Sequence, residues 1–350
     1  ALSFNAHSQL NKVDFIRGGF SDAQILFKEY LTPWANSLGA NLNGGWYNTA
    51  KTHEALGFDV TISVSTAWSP VSARTFEISE LNLNGNVTGT VNTAPTVAGS
   101  KTDIRPVLSY QESHPQSGEP VTLAEYMVPN GTGMPYLPLP MGQIGLGLSF
   151  GTEITGRLLP NLDLGNTGNI GLWGVGLKHS ISQWIPVFKE LPFLDIAAQG
   201  GYTRLQTYAN LNFNVDQIAI NLVTNPLIFK GQKIEMVAEA YTINLISSQS
   251  FPVVSFYEGI GYSNSVTYVG LKGNFPVSRL ETNESDENYG KVVVTDSDIY
   301  QDPFEVEMQN SKDLRLNAGI GFKFGTLTIH FDYTKANYSV FTAGLGISFR

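Results

Sequence analysis

The sequence predicts an all-β protein: a transmembrane antiparallel β-barrel of about 14 strands (12–14), with a helical hatch or plug at its N-terminus. Three observations lead there. First, an aliphatic–glycine alternation closed by Phe occurs three times, as "IGLGLSFGT" at 144–152, "AGIGFKFGT" at 318–326 and "AGLGISFR" at 343–350. Side chains alternate faces along a strand. The last copy therefore puts Phe341, Ala343, Leu345, Ile347 and Phe349 on one face, and Val340, Thr342, Gly344, Gly346, Ser348 and Arg350 on the other. Second, only 15% of the 350 residues are charged, against about 25% in soluble proteins. Third, no segment offers the ~18 apolar residues of a membrane helix, and a chain without such helices crosses a membrane only as a closed barrel. The alternative is a soluble all-β protein whose apolar faces meet in a core.

In chain order, residues 1–54 form the N-terminal segment and 55–350 the barrel. Beginning at Ala1 rather than Met, the sequence fits a mature protein freed of a secretory signal, or a trimmed chain. Ser21 with Gln24 has capping-box spacing, and Leu26, Tyr30 and Trp34 recur at helical intervals. Pro33 is expected to kink this helix and Gly39 to follow its end. The helix is too short and too polar to span a bilayer. A strand follows, with Leu56, Phe58, Val60, Ile62 and Val64 facing one way and Gly57, Asp59, Thr61, Ser63 and Ser65 the other.

Residues 69–133, rich in Thr, Asn, Gly and Pro, read as a long loop with an extra hairpin near 75–83. Strands are expected at 144–150, 153–159, 170–179, 194–199, 217–222, 233–247, 252–262 and 265–275. Between two of them, "SQWIPVFKELP" reads as a helical turn with Trp184 as an interfacial anchor. Glu258 shares parity with Phe256 and Ile260. A lipid-facing charge near the midplane costs about 2–4 kcal/mol, so a bulge or inward turn is expected there. Residues 276–312 form a second long loop, strongly acidic, before strands at 314–324, 326–334 and 338–349. Short turns alternating with long loops are the outer-membrane pattern. Counting strands puts both long loops outside and the turns at Gly151 and Gly325 on the periplasmic side. The final Phe349, followed by Arg350, resembles the C-terminal sorting signal of outer-membrane barrels.

At "WYNTAKTHEALGFDV" the sequence resembles the FadL-like long-chain fatty-acid transporters. That resemblance implies a 14-stranded barrel and an N-terminal hatch with an Asn-Pro-Ala motif before the first strand. The matching positions are Asn48, Thr49 and Ala50, next to Tyr47, with Thr in place of Pro. The strings "GLWGVGLKH" and "QWIPVFKELPF" are similar to those of an uncharacterised outer-membrane family. The barrel subunit of the type IX secretion system is a further FadL-like relative.

The chemistry of the sequence is sparse. Net charge of −9 argues against a nucleic-acid partner, and there is no Cys. None of His7, His53, His114, His179 and His330 pairs with another at helical metal-ligand spacing, and no nucleophile elbow or P-loop occurs. No catalytic, cofactor or metal site is expected, and a Ser–His–acid arrangement for a hydrolase has no visible place. The Asp/Glu run at 281–307 reads as a solvated acidic loop, with external Ca²⁺ as its alternative. Asp59, Asp195, Arg315, Lys323, His330 and Asp332 fall on lumen-facing positions. They read as packing a plugged lumen, with a permeation path as the alternative. Two functions stay open for an outer-membrane protein of a Gram-negative bacterium. One is passive uptake of a hydrophobic small molecule. The other is a non-transporting subunit of a larger assembly, partnered by other outer-membrane or secreted proteins.

Overall fold

The computed structural model describes residues 14–88, 91–163, 165, 168–191, 193–309 and 312–349. Ten antiparallel strands close into a barrel. They are β1 (Phe58–Trp68), β2 (Tyr136–Leu148), β3 (Thr152–Asp163), β4 (Gly168–Ser180), β5 (Leu194–Asn210), β6 (Lys233–Ser250), β7 (Val254–Lys272), β8 (Asp313–Phe324), β9 (Leu327–Lys335) and β10 (Ser339–Phe349). Each pairs with its neighbour in sequence. β1 and β10 close the ring, with Val60 opposite Ile347 and Val64 opposite Ala343. The ring closes, so no strand of the wall is an edge strand.

Ten strands replace the 12–14 expected from the sequence, for two reasons. The alternation at 217–222 is not wall: Ile220 and Asn221 pair with Val293 and Val294 in a small external sheet. The segments 252–262 and 265–275 are one strand of 19 residues, β7, which changes partner instead of turning. Its lower part pairs with β8 and its upper part with Glu305–Gln309. β5 to β7 run 17 to 19 residues while β9 has nine, so one side of the wall rises well above the other.

The outward faces are apolar. Ile62, Val175, Ile243, Leu245, Leu316 and Leu345 are all exposed. Two rings of aromatic residues bound this band. Trp68, Tyr136, Trp173, Tyr202, Tyr241 and Tyr262 lie toward the long loops. Toward the short turns, Phe58 stacks on Phe349 at 5.0 Å and Phe193 on Phe251 at 6.4 Å, with Phe256 and Phe324 beside them.

The N-terminal segment threads this ring from the long-loop end. Helix α1 (Phe20–Asn43) starts after Gly19, whose φ of 96° is left-handed, and no side chain caps it. Ser21 is therefore not the expected cap. Asp22 in the first turn instead ties the start of the helix to the loop after β1, its carboxylate accepting from the amides of Asn84 and Gly85 and from the Tyr110 hydroxyl. The helix also runs past Gly39, which is buried, to Asn43. Enclosure on all sides supplies the packing that propensity alone would not.

The upper half of α1 joins one apolar core with the loops, where Leu26, Phe27 and Tyr30 meet Ile78, Leu108 and Phe304. Leu38 and Leu42 pack inside the ring on Leu139, Met141, Leu172 and Leu205. The loops fold into a cap of small sheets. The hairpin expected near 75–83 is instead Thr75–Glu77 paired with Thr93–Pro95, and the larger hairpin joins Val107–Ser113 to Pro120–Met127. The turn after β4 is made of the short helices Ser182–Trp184 and Pro186–Glu190, with Trp184 exposed.

Candidate functional site

The end of α1 leaves backbone carbonyls without helical partners. Two arginines from opposite walls meet them. Arg157 of β3 donates from Nη1 to the Leu42 carbonyl and from Nη2 to the Gly44 carbonyl, each at 2.9 Å. Its guanidinium lies 3.8 Å from the Trp46 ring centroid. Arg315 of β8 donates to the Asn43 carbonyl. Thr203 of β5 adds a hydroxyl to Leu42 at 3.3 Å. Both guanidinium groups are buried. The negative end of the helix dipole and the carbonyls give them the acceptors that a buried charge requires.

Below the helix, wall glycines make room for the segment. A Cβ at Gly176 or Gly201 would strike the Trp46 indole, one at Gly319 the Tyr257 ring, and one at Gly344 the His330 imidazole. This is the physical use of the repeated glycine alternation. The glycines line the lumen where large side chains cross it, and the aliphatic residues between them face out.

At the short-turn mouth a polar cluster ties the segment to the wall. His53 Nδ1 is 2.8 Å from Glu153 Oε2 of β3, and its Nε2 is 3.2 Å from Ser348 Oγ of β10. Lys178 Nζ of β4 is 3.0 Å from the other Glu153 oxygen. Asp59 of β1 approaches His53 Nε2 at 3.8 Å and accepts from Thr61. His53, Glu153, Lys178 and Ser348 are all buried. His53, Asp59 and Glu153 offer three ligand-type atoms within 4.8 Å of one another. The Lys178 ammonium already supplies a cation to Glu153. Ser348, His53 and Glu153 also stand in the order of an acyl-transfer triad. The Ser348 amide, however, donates to the Thr326 carbonyl within the wall.

The expected hatch residues lie between these two anchor points. Tyr47 packs edge-on against Tyr257 at 6.2 Å. The Ala50 amide donates to Ser248 Oγ at 3.0 Å, and Thr49 Oγ1 is 3.2 Å from the same atom. Asn48 and Thr49 line a cavity of about 100 Å³ together with Lys323 and His330. Tyr47, Asn43 and Arg315 border a second cavity of about 10 Å³, the size of one water. Asp332 accepts from Asn317 Nδ2 at 2.8 Å and from the Tyr257 hydroxyl at 3.3 Å. Asp195 shares the inward parity of Ala197 and Gln199 at the mouth, half-buried.

All six predicted lumen positions thus lie on inward faces, and Arg157, Glu153, Lys178 and Trp46 join them. Sequence reading missed those four because their partners are about 20 to 120 residues away. The parity of 153, 155 and 157 against Ile154 and Leu158 was the available signal.

Comparisons with known proteins add one assignment. A family model described as "Family of unknown function (DUF6588)" matches residues 1–349. No curated protein matches the chain. Among solved structures, the outer membrane protease OmpT of Escherichia coli is similar over 84% of this chain and 97% of its own, at 10% identity and a TM-score of 0.34. The attachment invasion locus protein Ail of Yersinia pestis covers 85% and 99%, at 9% identity and a TM-score of 0.23. The translocator domain of the autotransporter NalP of Neisseria meningitidis covers 94% and 99%, at 10% identity and 0.26.

Proposed function

We propose that this chain, which belongs to the DUF6588 family of unknown function, is a non-conducting outer-membrane barrel of a Gram-negative bacterium that offers its folded cap to other outer-membrane or secreted proteins. Two aromatic rings around a wall that is largely apolar, with Glu258 as its acidic exception, support the membrane placement, since lipid tails are the solvent that such a band fits. The observation that carries the non-conducting reading is the helix in the lumen, with its last carbonyls held by Arg157 and Arg315. The cap loops 69–135, 211–232 and 273–312 hold 16 acidic against seven basic residues and so carry the chain's whole net charge of −9. A basic protein surface is the partner this favours.

Passive uptake of a hydrophobic molecule is the weaker reading. The lumen cavity beside Asn48 is about 100 Å³, while small-molecule pockets are typically about 300–1,000 Å³. The cluster around His53 is read as an anchor and not as an enzyme site. The test is single-channel recording in planar bilayers, paired with co-purification from gently solubilised membranes. Silent insertions and a stoichiometric protein partner are expected. Sustained conductance, or a hydrophobic ligand retained in the lumen, overturns the reading.

A further inference from the structure

Glu258 does not turn inward. The ladder around it is regular, with Ser247 of β6 opposite on one side and Ala318 of β8 on the other. No bulge relieves it, contrary to the sequence expectation. Its side chain is exposed on the outer face, between Phe256 and Ile260. Among the described residues, no other acidic side chain stands on the outer face between the two aromatic rings, and no cation pairs with it.

Its height in the wall is informative. Phe256, in the ring at the short-turn end, is two residues or about 7 Å away along the strand. Tyr262, in the opposite ring, is four residues or about 14 Å away. Glu258 therefore lies near the edge of the apolar band at the short-turn end, where a long side chain reaches headgroups. The wall is low around it. Ser247 and Ala318 are small, and Gln249 shares the outer face of β6 opposite Phe256. A carboxylate, a hydroxyl and an amide oxygen thus stand at neighbouring outer-face positions of β6 and β7, and among the described residues no cation pairs with the carboxylate. A carboxylate in this position calls for a cationic partner from outside the chain. A primary ammonium carries three N–H donors, one for each of these acceptors. Choline, fully methylated, carries none.

We propose that Glu258, with Ser247 and Gln249, binds the primary ammonium headgroup of a phospholipid in the leaflet at the short-turn end. The inference rests on the membrane reading above. The experiment uses the full chain in vesicles of mixed phosphatidylethanolamine and phosphatidylcholine, followed by mild extraction and native mass spectrometry of the retained lipid. The wild type is expected to retain the ethanolamine lipid about fivefold over its share of the mixture, as an interaction of about 1 kcal/mol gives. Glu258→Gln should bring that ratio close to one, and Ser247→Ala should lower it in part. A second readout guards against a folding artefact. In pure phosphatidylcholine, Glu258→Gln should raise the thermal midpoint by removing an unpaired charge, and the gain should vanish when the ethanolamine lipid is present. Equal lipid ratios in wild type and variant, a gain independent of lipid, or loss of a bound protein without change in lipid would each overturn the proposal. A chain that fails to insert overturns the membrane reading with it; a chain that inserts without discriminating overturns this inference alone.

Discussion

The two ends of the N-terminal segment are held by different physics. Its upper part, α1, is embedded in an apolar core continuous with the cap, and its final carbonyls are fixed by buried arginines. Its lower part, 46–57, crosses glycine-lined wall and ends in hydrogen bonds and ion pairs around His53 and Glu153. Withdrawing the upper part exposes a large apolar surface, at about 25 cal/mol per Å². Releasing the lower part uncovers a smaller apolar set, Trp46, Tyr47 and Ala50, and breaks polar contacts around His53 at the mouth, where water can take their place. The segment is therefore a plug fixed from above, and local opening, where it occurs, starts below.

The sharpest way to break this contrast is Arg157→Met. The variant removes two charge-assisted bonds to Leu42 and Gly44 and the stack on Trp46. It leaves the Gly44 carbonyl without its donor and the Leu42 carbonyl with only the Thr203 hydroxyl. The expected loss is about 3 kcal/mol of barrel stability, measured by urea titration of the inserted protein. A neutral outcome would mean that the apolar core alone fixes the helix. A smaller effect is expected for Lys178→Met, which leaves Glu153 with the His53 ring and amide. About 2 kcal/mol should be lost locally. Hydrogen exchange should quicken in 46–57 while the amides of α1 keep their protection. Equal quickening in α1 would show one cooperative plug and erase the distinction.

Much of the wall was legible because β periodicity is local. The inward and outward parity of β1, β8, β9 and β10 follows from residue type alone, and so do the short turns at Gly151 and Gly325. The strand number was not legible. Ile218, Ile220 and Leu222 alternate as a wall strand does, yet two residues of that stretch pair in the cap. The break expected near 263 is instead a change of partner within β7, which depends on where 305–309 returns. The helix end was misplaced because Gly39 is a stop signal in an exposed helix, whereas here the barrel packs around it. The same limit applies inside the lumen. Asp59 and His330 can be assigned a face, but the meeting of His53 with Glu153 and Ser348 depends on barrel closure.

The smallest expected effect concerns the edge of the cap, which is held more loosely than either part of the plug. Asp296 accepts from the Thr224 hydroxyl at 2.6 Å and from its amide at 2.9 Å, joining two loops at an exposed position. The Thr224 hydroxyl, with the amide behind it, holds this carboxyl below the ordinary aspartate range. A carboxylate depressed on folding contributes stability above its unfolded pKa and loses it as pH falls through the lower folded value. Protection of the Leu222 amide, which bonds to the Val294 carbonyl, should therefore be the same at neutral pH and at mild acidity. It should fall only below about pH 4, the unperturbed aspartate value. Asp296→Asn should abolish this pH step and leave α1 untouched. If the step persists in the variant, or if α1 loses protection with it, the cap edge and the plug are one unit and not two.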